Sequence, residues 1–220
     1  MASVQQQHLD KADSVRNRHE RRNATVRSRP ELTHEAKQSL IAASYLKART
    51  EMSDVEQTAT FDTAAQKSAA ERSAFGTDDI EGDRASLAVS MRDAQDRAAQ
   101  LTNPKDAAAL LARAERSSDE PLARAIASHA YDHHVANIGL GDPGWATVVD
   151  DYLTGRPAQT KAVQKLMALD SGAEGAGSMR QTFAFVLPKP PELQTVPKYQ
   201  IMSLASKSAG MGGSSDYQLR

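Results

Sequence analysis

Between Pro30 and Gly76 the chain contains neither proline nor glycine. Over that stretch Leu32, Ala36, Leu40, Ala43, Leu46, Met52, Val55 and Ala59 recur at steps close to three and four residues. The pattern predicts one long helix with a narrow apolar stripe, closer to a coiled-coil seam than to the broad face of a globular helix. A helix of that length cannot fold back on itself. Its stripe must be covered by another helix or another chain. Ser28 as cap, Pro30 in the first turn and Glu31 at capping-box spacing predict the start. Phe75-Gly76 predicts the stop, with the glycine in the left-handed conformation.

Composition agrees with a thin helical protein. Apolar residues are 40% of 220, below the usual share, and aromatics only 5%. Much of the apolar total is alanine, which favours helix and close helix approach. Cysteine is absent, so disulfides and thiolate metal sites are excluded. No run of 18 apolar residues predicts a membrane span, and no apolar leader segment opens the chain. The expected location is the cytoplasm of a host cell, or a particle assembled there.

The net charge of −1 hides an asymmetry. Residues 1–50 hold ten basic and five acidic side chains, and residues 51–120 hold eight and fifteen. A basic arm before an acidic helical middle suits an acidic partner or a copy of the same chain. Residues 1–29 are polar and are expected to form a flexible basic arm. Within it Arg16, Arg18, Arg21, Arg22, Arg27 and Arg29 are candidate phosphate contacts. No aromatics lie between them to stack bases.

Residues 30–102 are read as long, coiled-coil-like helices. Leu87, Met91, Ala94, Ala98 and Leu101 mark the second of them. Residues 103–170 follow as a small bundle of antiparallel helices. Asn103-Pro104, Ser117 through Pro121, Gly141-Asp142-Pro143 and Gly155-Arg156-Pro157 punctuate four helices of bundle length. Ser117 and Glu120 stand at capping-box spacing, and the third helix is expected to end near Ile138-Gly139. The one tryptophan, Trp145, marks this segment as the best candidate for a packed core.

Residues 171–220 are read as a linker and an extended, proline-containing docking tail. Ser171–Ser178 is rich in Gly, Ala and Ser. Phe183–Leu187 is apolar enough for one strand, and Pro188-Lys189-Pro190-Pro191 requires extended backbone. Tyr199–Ala205 is a second apolar patch, and the Gly/Ser-rich end is expected to be disordered. The fold class is therefore all-α: a long N-terminal helix, a small antiparallel bundle and an extended tail. Candidate protein-binding residues are Leu40, Leu46, Met52 and Val55 on the seam. Phe183, Phe185, Leu187, Pro188 and Pro190 are their counterparts on the tail.

Catalytic patterns are weak. His129 and His133 stand four apart, as a metal pair on one helix face would, with Asp132 beside them. No glutamate follows His129 as a zinc-hydrolase motif requires, and histidines there suit the C-terminal half of a helix. Asp150 and Asp151 are adjacent and point to different sides of a helix. Asp78, Asp79, Glu81 and Asp83 lack the ligand order of a calcium loop. No enzyme activity, cofactor or metal is expected.

Three stretches resemble a known group. They are Ser90–Ala99, then Ala112–Ile126 with Gly144-Trp145 and Val148–Leu153, and Phe185–Leu193. Over about residues 70–193 the chain resembles small helical proteins encoded by bacteriophages and prophages of actinobacteria. Genes of that group lie among virion structure and assembly genes. The resemblance implies that setting and no activity; the role expected within it is a scaffold-like or minor structural protein, associated with capsid or connector and acting by helix association. It implies other virion or assembly proteins as partners, and no catalytic residue. A homo-oligomer is expected from the seam. The alternative is a packaging or regulatory protein that holds nucleic acid through the arginine arm.

Overall fold

The computed structural model describes residues 4–136, 143–173 and 183–211. Among them every regular element is helical, as the punctuation predicts: α1 (Val4–Arg27), α2 (His34–Phe75), α3 (Arg84–Ala98), α4 (Pro104–Arg116), α5 (Glu120–Ala136), α6 (Gly144–Leu153), α7 (Pro157–Ala173) and α8 (Lys198–Met211). A single 3-10 turn, Pro191–Leu193, precedes α8. The chain divides into two compact units. One comprises Met1–Thr63 with Ala176–Arg220, the other Ala64–Gly175. The boundary falls inside α2 rather than at the connector near residue 102.

The first unit is a helix hairpin closed by the C-terminal segment. α1 is a helix of 24 residues and not the mobile arm expected of residues 1–29. Its inner face is His8, Ala12, Val15, His19, Asn23 and Val26, at steps of three and four. His8 meets Asp62 at 3.0 Å, Arg18 meets Glu51 at 3.5 Å, and His19 meets Ser44 at 3.0 Å. Low numbers on α1 pair with high numbers on α2, so the two run antiparallel. α2 starts later than the Ser28 cap predicts. Thr33 Oγ1 accepts from the Ala36 amide, while Pro30 lies in the turn and Leu32 packs inward.

Two apolar clusters run along the hairpin. Ala12, Val15, Ala48, Met52 and Ala59 enclose Phe185. Val26, Ile41 and Ala42 enclose Leu193 and Ile201, with Leu32, Leu40, Tyr45 and Leu46 at the margin.

The second unit is a helical bundle around α5, which packs against α3, α4 and α6. Leu122, Ala123, Ala125, Ile126, Ala127, Ala130 and Tyr131 of α5 are all buried, so its apolar surface extends around most of the helix. Such a helix belongs at the centre of a bundle. Phe75, at the end of α2, lies 5.8 Å from the ring of Tyr131 and 6.2 Å from that of Tyr152.

Capping explains the boundaries. Asp83 accepts from the Ser86 amide and Asn103 from the Asp106 amide, each through its side chain. α5 is capped by Asp119, which accepts from the Leu122 amide. Ser117 closes α4 instead, donating to the carbonyls of Arg113 and Ala114. Gly155 turns the chain between α6 and α7 at φ 79°. Gly76 stops α2 by a different device from the one expected. Its φ is not positive; a β-carbon there would collide with the carbonyl of Arg72. The proposed helix end at Ile138-Gly139 and the Gly141-Asp142 turn lie outside the described residues, as do Glu174–Ser178 of the linker and the Gly/Ser-rich end.

Candidate functional site

The C-terminal segment supplies the most unusual surface of the first unit. It lies on the α1–α2 hairpin as a strap. Phe185 enters the cluster around Met52, and Leu193 the cluster around Ile41. The strap therefore runs parallel to α1 and antiparallel to α2. The eleven residue steps along α2 from Met52 to Ile41 span roughly 16 Å, while the eight steps of strap from Phe185 to Leu193 reach up to about 26 Å. The slack is taken up by the turn at Phe185 and the 3-10 turn at Pro191–Leu193. No strand forms over 183–187. An all-helical unit offers no sheet edge to pair with, and the segment's carbonyls find a side chain instead.

That side chain is Arg16. Its guanidinium donates to the carbonyls of Phe183 at 3.3 Å, Val186 at 3.4 Å, and Ala184. Arg27 grips Glu192 with two bonds of 2.6 and 2.9 Å, the forked geometry that suits a carboxylate. The hydrogen bond from Arg27 holds the Glu192 carboxyl below its usual range. Gln38 donates to the Glu192 carbonyl at 2.9 Å, and Lys207 meets Glu35 at 3.0 Å. Lys189 Nζ donates to the carbonyls of Gln194 and Val196, bracing the strap on itself. An open groove of about 440 Å³ remains between α1 and the proline stretch, lined by Arg16, His19, Asn23, Arg27, Pro188 and Pro190. Side-chain bridges span this part of the strap, with little close packing beneath them.

The predicted seam residues are thus used within the chain. Met52 is 2% exposed, Val55 packs beside it, and Leu40 and Leu46 border the Leu193 cluster. Their cover is α1 and the strap. Phe185 and Pro190 are buried and Leu187 is half-buried, whereas Phe183 and Pro188 face solvent. The candidate phosphate-binding arginines are redistributed likewise. Arg16 and Arg27 hold the strap, and Arg18 pairs with Glu51. Arg21 is exposed, and Arg22 and Arg29 are half-buried.

The outer side of the strap carries Phe183, a candidate from the sequence, with Val186, Tyr199 and Met202, which were not among the candidate site residues. Phe183 is 69% exposed, Tyr199 74% and Met202 68%, and Val186 is also exposed. Tyr199 and Met202 are three apart on α8 and lie on one side of it, both exposed, while Ile201 is buried. The remaining large exposed apolar residues, Val4, Phe61, Val89 and Met167, are scattered over other elements. The inner-face polar residues were missed as well. His19 places Nδ1 3.0 Å from Ser44 Oγ and Nε2 3.0 Å from Asn23 Nδ2. Both ring nitrogens thus meet a neutral polar partner, which suits an uncharged imidazole. Burial pushes the His19 pKa down, with Arg27 and Arg22 adding to the effect and Glu20 opposing it.

The polar clusters of the second unit hold its helices together. Arg124, only 4% exposed, forks onto Asp79, pairs with Glu120 at 2.9 Å and donates to the Gly76 carbonyl. Arg156 joins Glu120 and Glu115 and lies over the Tyr152 ring at 4.5 Å. Burial pushes Glu120 up, but bonds from Arg156 and Arg124 outweigh it and leave the carboxyl below its usual value. The Tyr131 hydroxyl donates to Asp170 at 2.7 Å, and Asp170 meets Lys67 at 2.8 Å. His129 bonds the Leu101 carbonyl at 2.9 Å, and His133 stacks on Trp145 at 4.5 Å. Both histidines are thus engaged in helix packing. Asp132, beside them, is raised by burial. No group of three metal-ligating side chains occurs among the described residues. No helix among them is long and apolar enough to cross a membrane.

Fold and surface together define an all-helical protein of two small units, one of them closed by its own C-terminal strap. No family model, curated protein or solved structure matches the chain.

Proposed function

We propose that this chain is a non-enzymatic association protein, and that it serves as a scaffold-like or minor structural component in bacteriophage virion assembly. The observation that carries the association is the outer face of the strap. Phe183, Val186, Tyr199 and Met202 are displayed to solvent on one segment that is itself clamped in place by Arg16 and Arg27. Two pairs of exposed apolar residues, Phe183 with Val186 and Tyr199 with Met202, suit an interaction surface better than the same residues scattered singly. The virion setting rests on the resemblance of residues 70–193 to helical proteins of actinobacterial phages. Its partners are other assembly proteins or further copies of the chain.

Sedimentation velocity over a rising concentration series tests the association. The wild-type chain is expected to form larger species, and Tyr199→Ser with Met202→Ser to shift their onset to higher concentration. A monomer at every concentration, with no binding to virion proteins, would overturn the reading. In particles of a phage that encodes this chain, its peptides are expected in assembly intermediates or in the virion. The nucleic-acid alternative draws less support. Two of its six arginines hold the strap and a third pairs with Glu51.

A further inference from the structure

The strap and its groove form a separable pair, and this suggests how copies of the chain join. The groove is built by α1 and α2 alone, and nothing else among the described residues of that unit covers its two clusters. An empty groove would expose Met52, Ile41 and the alanines around them, so an occupant is required. The occupant is held by three inserted side chains, Phe185, Leu193 and Ile201, and by polar bridges from Arg16, Arg27 and Gln38. Every one of these contacts is between the strap and the hairpin. None depends on which chain the strap belongs to.

In the sequence nine residues, 174–182, separate Ala173 of α7 from Phe183 of the strap. Ten peptide steps reach at most about 35 Å. Within one chain that tether supplies a high local concentration of strap. Between chains the contacts are the same and concentration decides, which is the condition for exchange of identical elements between protomers. Phe183, Val186, Tyr199 and Met202 remain exposed when a strap sits on its own hairpin. An exchanged strap presents the same apolar face, so that face is available for further contacts between joined copies.

Resting on the association proposed above, we infer that residues 183–211 are an exchangeable strap. In the associated form the strap of one copy fills the α1–α2 groove of a second copy. Phe185, Leu193 and Ile201 keep the pockets they hold in the single chain.

The absence of native cysteine makes the test direct. Glu35 and Lys207 form an exposed ion pair of small energetic weight, so Glu35→Cys with Lys207→Cys leaves docking intact. A short bismaleimide then joins the two thiols wherever strap meets groove. In the monomer fraction the doubly substituted chain should close on itself and run at single-chain mass under denaturing conditions. In the associated fraction it should instead give covalent dimers of twice that mass. A mixture of the two singly substituted chains should give the same dimers there. Closure within single chains throughout the associated fraction, with no dimers from the mixture, would overturn strap exchange and leave the association reading standing. Absence of any associated fraction would overturn both.

Discussion

At the scale of single residues, buried polar groups set the conditions under which each unit holds. Arg124 is buried against Asp79 and Glu120, and its pKa is raised well above the ordinary arginine value even though burial opposes its charge. Arg124→Met should cost about 2–3 kcal/mol, because Asp79 loses its arginine and Glu120 keeps only Arg156, while both carboxylates stay open enough to hydrate. Urea unfolding followed by Trp145 fluorescence reads this directly, since the one tryptophan lies in the second unit. Burial pushes Tyr152 up to about 12, and its hydroxyl donates to the Ala74 carbonyl at 2.9 Å. His19 gives a prediction with a definite sign. Its folded pKa lies below the unfolded value of 6.5, so the unfolded chain takes up the proton first. The contribution of neutral His19 is complete above that value and is lost as pH falls through the folded pKa. His19→Gln should flatten the fall in first-unit stability between about pH 7 and about pH 5. Denaturant titrations at several pH values, read by circular dichroism, would show a parallel decline in both proteins if His19 were already protonated.

At the scale of elements, legibility followed the local chemistry of each segment. Helices α4 to α7 were readable because Asn103-Pro104, Pro143 and Gly155 through Pro157 interrupt the chain where backbone geometry requires it. The long helix was readable from its uninterrupted pattern. α1 was not, because half of its inner face is His8, His19 and Asn23, which a search for apolar periodicity passes over. The three-and-four spacing of those residues with Ala12, Val15 and Val26 was the signal available. The strap misled for the opposite reason. Phe183–Leu187 has strand-like composition, but only Phe185 is fully buried, and no strand among the described residues can pair with it. Its partner, Arg16, lies 167 positions or more away in sequence, and no local pattern links them. Docking of this element should respond to its anchors. Leu193→Ala removes a fully buried side chain and should cost about 2–5 kcal/mol. Hydrogen exchange is expected to rise over residues 186–208 while α4 and α5 keep their protection. Unchanged protection along the strap would mean that Leu193 does not anchor it.

At the scale of the whole molecule, the two units differ in charge as well as in construction. The unit holding the hairpin and strap carries 15 basic and 11 acidic residues, and the bundle carries 12 and 17. Each has its own core, built from different residues. Two cores of this kind need not melt together. Trp145 fluorescence should report the bundle alone, whereas circular dichroism reports both units. The two denaturation curves are expected not to coincide, and Leu193→Ala should shift only the circular dichroism curve. A single shared transition for both probes would show that the units unfold as one.

Arg16 grips main-chain oxygens at residues 183, 184 and 186, and those atoms belong to every amino acid alike. The clamp is therefore blind to what the strap displays outward. Mutation can rewrite Phe183 or Val186 without any rebuilding of the hairpin underneath. The same mount could thus carry a different outward face in a related chain.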